Sequence, residues 1–263
     1  MLAMITRLLP AILPPILLAV FSSLACAAGT GAESEAINRA GEQRMLSQRI
    51  VKSWVQIGLN VAPTMSKRQL DEALRRFEDN LKVLDAAATS PDAKTALAGL
   101  RATWAPLRSS ALGMISQASA TTLDARGEDV LMAAERLTLA LQDQSGSASS
   151  RWVILAGRQR MLSQRLVKDY MLRQWGVDSA RLRSDLESVQ NEFTGALANL
   201  QQRSDNPPAV RAELDNLALQ WEWLRAALAA EGAESFRLIL AEGGDAVLEL
   251  ADNVTRLYQQ STP

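Results

Sequence analysis

Histidine is absent from this 263-residue sequence, and Cys26 is its single cysteine. Without histidine there is no histidine-dependent catalytic triad, no imidazole general base and no histidine-ligated zinc or haem. A single cysteine excludes a disulfide within the chain. The usual nucleophile–base pairs are therefore missing, and the composition favours a protein that is not an enzyme and carries no metal or cofactor.

The chain also has almost no excess charge. It carries 28 Lys and Arg residues against 29 Asp and Glu residues, which gives a net charge of −1. A protein that binds nucleic acid needs a basic surface for the phosphates, so this balance argues against a nucleic-acid partner. With 48% apolar and 22% charged residues, the composition is that of a globular protein of one large or two small domains.

The first 27 residues have the pattern of an export signal. Arg7 supplies the positive charge, an apolar stretch follows, and Ala25-Cys26-Ala27 fits a cleavage site between small residues. Prolines interrupt the apolar stretch, whereas a membrane-spanning helix needs about 20 apolar residues in a row. The pattern predicts removal of residues 1–27 and a periplasmic protein. Lipid attachment at Cys26 and a retained membrane anchor are the alternatives.

The rest of the sequence contains one unit twice. Residues 40–52, the first box, and residues 156–168, the second box, are identical except at Glu42/Arg158 and Ile50/Leu166. A repeat of this strength indicates a duplicated folding unit. The copies are predicted to span residues 34–145 and 151–261. The separation between the boxes also relates Phe77 to Phe193, Asp129 to Asp245 and Ser145 to Ser261, and Trp104 pairs with Trp221 after a slip of one residue.

Apolar residues recur at helical spacing throughout both copies, and alternation with period two is essentially absent. Each copy contains its box helix and three further apolar stripes, and short loops make neighbouring helices antiparallel. The sequence therefore predicts an all-α protein of two tandem antiparallel four-helix bundles related by internal duplication. Helix starts are predicted at Ser66, Ser90 and Asn206, and the acidic runs Asp71-Glu72 and Asp185-Leu186-Glu187 are predicted to face solvent.

The box is the segment whose pattern suggests binding. On a helix, Gly41, Arg44 and Gln48 share one face, whereas Arg49 lies about 140° around the helix from Arg44. Glycine inside a helix costs about 1 kcal/mol relative to alanine, and it is typical of a place where another backbone or a ligand comes close. An arginine on such a largely apolar face needs a carboxylate, a carbonyl or a bound anion.

The second box repeats this face with Gly157, Arg160 and Gln164, and Arg165 lies beside it. If the two faces meet across a pseudo-two-fold axis, Arg44 approaches Arg160 and an anion between them relieves their repulsion. Planar guanidinium groups suit nitrate, nitrite or a carboxylate. The alternative is that each arginine pairs with a carboxylate or carbonyl within packed bundles.

Residues 37–49 closely resemble the opening helix of NarX-like and PilJ-type sensor domains, and residues 155–165 resemble a second one. These are the N-terminal extracytoplasmic domains of nitrate/nitrite sensor kinases and of type IV pilus chemoreceptors. The resemblance implies an antiparallel four-helix bundle that binds nitrate at a two-fold interface. Its glycine and first arginine match two pairs here, Gly41 with Arg44 and Gly157 with Arg160. Its second arginine matches Arg49 and Arg165.

Together these patterns predict an exported sensor-type binding protein in which Arg44 and Arg160 clamp a small anion. The flanking residues Gln48, Arg49, Gln164 and Arg165 are secondary candidates. No transmembrane or kinase pattern follows Gln260, so we expect the state to pass to another protein such as a membrane receptor or sensor kinase; a homodimer stays open. The alternative function is a ligand-free helical module that docks onto an envelope chemoreceptor or pilus component.

Overall fold

The computed structural model describes residues 19–147, 150–177, 179–230 and 234–261, with side chains from residue 31 onward except at 234, 235 and 261. Most of the predicted export signal lies outside these residues, and residues 19–27 belong to the first helix. The described residues form eight helices and no strand: α1 (Ala19–Gly58), α2 (Pro63–Ala87), α3 (Pro91–Ala111), α4 (Gln117–Ser145), α5 (Ser150–Gln174), α6 (Ala180–Gln201), α7 (Pro208–Ala229) and α8 (Glu234–Ser261).

Prolines set several of the helix starts. α3 begins as predicted, because Ser90 accepts a hydrogen bond from the backbone three residues later. The predicted starts at Ser66 and Asn206 are wrong. α2 begins earlier, at Pro63, because proline in the first turn has a helical φ and needs no hydrogen bond. α7 begins later, at Pro208, because Pro207 precedes a second proline and is therefore held in an extended conformation. Ser66 is therefore buried inside α2 and does not cap it.

The helices form two antiparallel four-helix bundles, α1–α4 and α5–α8, as the sequence predicts. The apolar stripe of each helix is buried against its neighbours, which removes it from water and drives the folding. Phe77 stacks on Trp104 with ring centroids 3.8 Å apart, and Phe193 stacks on Trp221 at 3.9 Å. An equivalent stacked phenylalanine–tryptophan pair thus lies in the core of each bundle.

The two bundles pack against each other along α1 and α5, a contact that we call the seam. A Cβ atom built on Gly41 would lie 3.9 Å from Nη2 of Arg160, and one built on Gly58 would meet the ring of Trp175. The later residue of α1 thus lies beside the later residue of the second repeat, so α1 and α5 run parallel. A pseudo-two-fold axis therefore lies along the seam. Both boxes are therefore at the centre of the molecule.

Two glycines bring the last helix of each bundle close to its box helix. A Cβ atom on Gly127 of α4 would lie 2.7 Å from Cγ2 of Val51, and one on Gly244 of α8 would overlap Val167 at the equivalent place. Such close approach is possible only without a side chain. The glycines fix the relative height of α4 on α1 and of α8 on α5.

The same contact corrects the alignment of the copies. Gly127 corresponds to Gly244, so Asp245 corresponds to Glu128 and not to Asp129 as the sequence comparison suggests. The slip of one residue that separates the two tryptophans therefore persists through α4 and α8. None of the helices in the described residues is both long and apolar enough to cross a membrane.

Candidate functional site at the seam

The structure brings the four principal candidates together. The side chains of Arg44 and Arg160 are only 1% and 3% exposed. Nη2 of Arg44 lies 3.1 Å and Nη2 of Arg160 lies 3.9 Å from a Cβ atom built on Gly41. At Gly157 the corresponding distance to Nη2 of Arg160 is 3.0 Å. The two guanidinium groups thus converge over Gly41, and a side chain at either glycine would crowd them.

Each of these arginines already has an acidic partner in its own bundle. Nη1 of Arg44 donates to Glu135 on α4 at 2.5 Å, and Nη1 of Arg160 donates to Asp252 on α8 at 2.8 Å. The expected pair of cations with no partner other than an external anion is therefore not present. Burial explains the difference, because a buried cation without a counter-charge is far more costly than an ion pair.

A third arginine extends this network. Arg158, which stands where the first box has Glu42, donates to Glu135 at 3.2 Å and also pairs with Glu192. Three arginines thus face three carboxylates, and their charges balance. We call this group the arginine cluster: Arg44, Arg158, Arg160, Glu135, Glu192 and Asp252.

Two donors in the arginine cluster, Nη2 of Arg44 and Nε of Arg160, are buried and have no hydrogen-bond partner among the described residues. Nη2 of Arg160 donates to Oδ1 of Asn38 at 2.7 Å, whereas Nη2 of Arg44 is buried and has no hydrogen-bond partner in the described part of the chain. The cause is visible in the repeat: Ile154 occupies the position of Asn38 in the second copy and cannot accept a hydrogen bond. The duplicated halves of the cluster are therefore unequal.

The electrostatics keep the cluster charged. Burial lowers the pKa of Arg44, Glu135 raises it, and the neighbouring Arg158 and Arg160 lower it further. Burial alone would raise the pKa of Glu135, but Arg44 and Arg158 outweigh that effect and hold the pKa below its ordinary value. An arginine stays protonated in proteins, so both partners are ionised at neutral pH.

The secondary candidates do not join the arginine cluster. Gln48 donates to Ser47, and Gln164 donates to the Gly244 carbonyl of α8 at 3.2 Å, so both amides bond to their surroundings inside the bundles. Arg49 and Arg165 lie elsewhere around α1 and α5, as their spacing predicts, and Arg165 bonds to acids described below. The box thus presents two faces with different partners.

Comparison with protein families identifies both halves of the chain. The family model PilJ, described as "Type IV pili methyl-accepting chemotaxis transducer N-term", matches residues 29–130 and 140–245. The chain belongs to the PilJ family. Each matched region contains one box, so the internal duplication consists of two PilJ repeats. No curated protein and no solved structure shows a significant match to the chain.

Membership in the PilJ family fixes a coarse function. PilJ domains are sensory and interaction modules of chemotaxis transducers, and they are signalling domains without catalytic activity. In transducers they face the periplasm.

The sequence analysis missed Lys52 and Lys168, the last residues of the two boxes. Both side chains are completely buried. Nζ of Lys52 donates to Asp245 on α8 at 2.5 Å, and Nζ of Lys168 donates to Glu128 on α4 at 2.6 Å. Each lysine therefore ties one PilJ repeat to the last helix of the other. The repetition of a lysine within an apolar run was the available clue, because a buried lysine needs an acid.

Further side chains complete two groups around these lysines. Gln69, inside α2, donates to Asp245 at 2.7 Å, and Asp185 accepts from Arg165 at 3.0 Å. The prediction that Asp185 faces solvent is wrong, because α6 packs beside the second box. The first lysine cluster is Arg49, Lys52, Gln69 and Asp245; the second is Arg165, Lys168, Arg181, Asp124, Glu128, Asp169 and Asp185.

Proposed function

We propose that this protein is an exported sensory module without enzymatic activity that binds a small oxyanion, such as nitrate, nitrite or a carboxylate, between Arg44 and Arg160. The observation that carries the proposal is the buried, unpartnered Nη2 of Arg44 beside Nη2 of Arg160 over Gly41. A buried donor without a partner costs free energy, which an oxygen of the anion recovers. The planar fork of each arginine suits a planar oxyanion.

Binding at this site is an exchange of partners. Glu135 and Asp252 now pair with the arginines, and their side chains are 32% and 50% exposed, so each carboxylate can turn towards water and remain hydrated. An anion that replaces them connects the two boxes directly. Because Arg44 is on α1 and Arg160 on α5, the exchange would shift these helices along the seam, and a small helix shift is a known form of signal.

The test is calorimetry of the purified protein with nitrate, nitrite and acetate, supported by thermal unfolding in the same salts. We expect a bound anion to raise the melting temperature, since it binds only the folded state. Arg44→Ala combined with Arg160→Ala should abolish the effect. Absence of heat with all three anions, or unchanged affinity in the double variant, would overturn the proposal.

A second variant tests the exchange itself. Glu135→Gln removes the carboxylate that competes for Arg44, so we expect tighter anion binding than in the parent protein. Glu78→Gln is the matched control, because Glu78 forms an exposed ion pair with Arg108 and is not part of the arginine cluster. Binding that weakens in Glu135→Gln and is unaltered in the control would contradict competition between the anion and Glu135.

A ligand-free interaction module is the second candidate, and the balanced charges of the arginine cluster favour it. With three arginines facing three carboxylates, the cluster needs no anion to be neutral. In this case the protein would dock onto an envelope chemoreceptor, a pilus component or a second copy of itself. Cross-linking in the native envelope would then capture a stable partner whose binding is independent of nitrate, nitrite and acetate.

The periplasmic location and the export signal at residues 1–27 also remain part of the proposal. Mass spectrometry of the mature N-terminus distinguishes the three forms. A free start at residue 28 supports export, an acylated Cys26 supports a lipid anchor, and an intact N-terminus supports a retained segment.

A further inference from the structure

A cavity of about 330 Å³ opens beside the seam, between α1, α2 and α8. Its volume is within the usual range for sites of small ligands. Met45, Leu46, Ala73 and Leu248 provide an apolar wall, and charged side chains surround it. The cavity lies on the face of the first box that carries Arg49, so neither Arg44 nor Arg160 lines it, and it shares only Asp252 with the anion site proposed above.

The wall contains unpaired charges of both signs. Arg49 makes no hydrogen bond or direct ion pair with any described residue, and it acts on Asp245 of the first lysine cluster only through space. Glu72 and Glu249, which are exposed at the rim, also make no hydrogen bond or ion pair with a described residue. The other carboxylates in the wall have cationic partners; Asp245, for example, is bound by Lys52, and Asp252 by Arg160. The cavity therefore offers one guanidinium and two carboxylates that make no hydrogen bond, around an apolar surface.

The equivalent place in the second PilJ repeat is built differently. Val189 stands where the first repeat has Ala73, and Met132 stands where α8 has Glu249. Arg165, the counterpart of Arg49, is held by Glu128 and Asp185 at 3.0 Å each. The fold alone therefore does not dictate a small wall residue beside an arginine without a direct ion pair, because the second repeat has a valine at the first position and neutralises the arginine.

We propose that the cavity binds a small zwitterion, namely a free α-amino acid with an apolar side chain. Arg49 receives the carboxylate, Glu72 and Glu249 receive the ammonium group, and the side chain lies against the apolar wall. A simple anion would be repelled by the two glutamates, and a simple amine would leave Arg49 unpaired. A ligand with both charges satisfies every free group in the cavity.

The first experiment compares matched ligands by calorimetry on the purified full chain. Leucine, valine, methionine and phenylalanine are the zwitterions; 4-methylpentanoate lacks the ammonium group of leucine, and 3-methylbutylamine lacks its carboxylate. We expect at least one amino acid to bind with a Kd below about 1 mM and its single-charge analogues to bind about 10- to 100-fold more weakly. Binding by none of the four amino acids, or equal binding of the amine, overturns the proposal.

The second experiment places the ligand. Ala73→Val copies the residue of the second repeat and should reduce amino-acid affinity at least about tenfold by filling the cavity, as should Arg49→Gln by removing the carboxylate partner. Val189→Ala is the matched control at the equivalent position and should leave affinity unchanged. Circular dichroism checks that each variant is folded. Affinity that survives both Ala73→Val and Arg49→Gln in folded protein rejects this cavity as the site.

The two proposed sites can be tested independently of each other. In the variant with Arg44→Ala and Arg160→Ala, the response to nitrate, nitrite and acetate should disappear while binding of the amino acid persists. Loss of amino-acid binding in that folded variant, with Arg49→Gln unaffected, would assign the zwitterion to the arginine cluster and overturn the inference.

Discussion

The two lysine clusters share one skeleton but carry opposite excess charge. In each, a buried lysine from the box binds an acid on the last helix of the other repeat, and the charge of a box arginine acts on the same acid. The first cluster has Arg49 and Lys52 against Asp245 alone, so positive charge is in excess. In the second cluster the cations Arg165, Lys168 and Arg181 face the acids Asp124, Glu128, Asp169 and Asp185, so negative charge is in excess.

A few substitutions between the repeats produce this difference. Asp169 stands where the first repeat has Ser53, and Asp185 stands where it has Gln69. Both oxygens of Asp169 are buried without a hydrogen-bond donor in the described residues, and burial raises the pKa of Asp169 to about 6 despite Lys168 and Arg165. Duplication thus preserved the lysine contact that joins the repeats while the surrounding charges diverged.

Removal of the lysines should give the largest and most unequal losses. Lys168→Met would leave the buried acids Asp124, Glu128 and Asp169 without their central cation, so we expect a loss of about 3–5 kcal/mol in the free energy of unfolding. Lys52→Met leaves only Asp245, which is 29% exposed and still bonded to Gln69, so a loss of about 2 kcal/mol is expected. Urea unfolding measures both.

The control for these variants is Lys67→Met. Lys67 forms an exposed ion pair with Asp71, and such pairs contribute at most about 1 kcal/mol. Equal losses for Lys52→Met and Lys168→Met would show that the extra acids of the second cluster do not depend on Lys168.

Replacement of Asp169 by serine, the residue at the equivalent position of the first repeat, should raise the free energy of unfolding at neutral pH. The pKa of Asp169 is about 6 in the folded protein and near the ordinary 3.8 when unfolded, so the folded state takes up a proton first. Stability from this group therefore increases as the pH falls from 7 towards 4, by at most about 3 kcal/mol. Asp169→Ser should be more stable than the parent at pH 7, and the two should converge near pH 4.

Urea unfolding between pH 4 and pH 8 measures this difference. Asp169→Asn, which keeps the shape of the side chain without its charge, should follow Asp169→Ser. If both variants show the pH dependence of the parent protein, Asp169 is not the titrating group and the comparison between the clusters loses its electrostatic basis.

The sequence predicts the architecture well because periodicity and duplication are properties of the chain alone. The spacing of leucines predicts the helices, and the nearly identical boxes predict that Arg44 and Arg160 occupy equivalent positions. The side of the helix on which Arg49 lies also follows from its spacing. These features require no knowledge of how one helix is positioned on another.

The residues that bind the box side chains could not be predicted, because they depend on how one helix is positioned on another. α4 and α8 carry several acids, and which of them meets Arg44 or Lys52 depends on the height of those helices, which Gly127 and Gly244 set. A shift of one residue would bring a different acid to each box. The open cavity depends on Ala73, whose small size matters only once α8 is known to face α2 across the cavity.

The glycines themselves should behave alike in both repeats, in contrast to the lysines. Gly127→Ala would push a methyl group into Val51, and Gly244→Ala would push one into Val167. We expect each to lower the free energy of unfolding by about 1–3 kcal/mol. Val51→Ala combined with Gly127→Ala should recover part of the loss. Unequal losses in thermal unfolding would show that the two repeats differ in backbone packing as well as in charge.

Glycines that do not approach a box helix should give the smallest change in stability, with the opposite sign. A Cβ atom on Gly99 of α3 or Gly195 of α6 would meet nothing within 4 Å, and neither has a positive φ. Alanine there reduces the freedom of the unfolded chain without a clash, so each substitution should raise stability by about 0.5–1 kcal/mol. Thermal unfolding of Gly195→Ala and Gly244→Ala compares an expected gain of stability with an expected loss within the second repeat. A loss of stability in both variants would show that contact with the box helix is not what distinguishes Gly244 from Gly195.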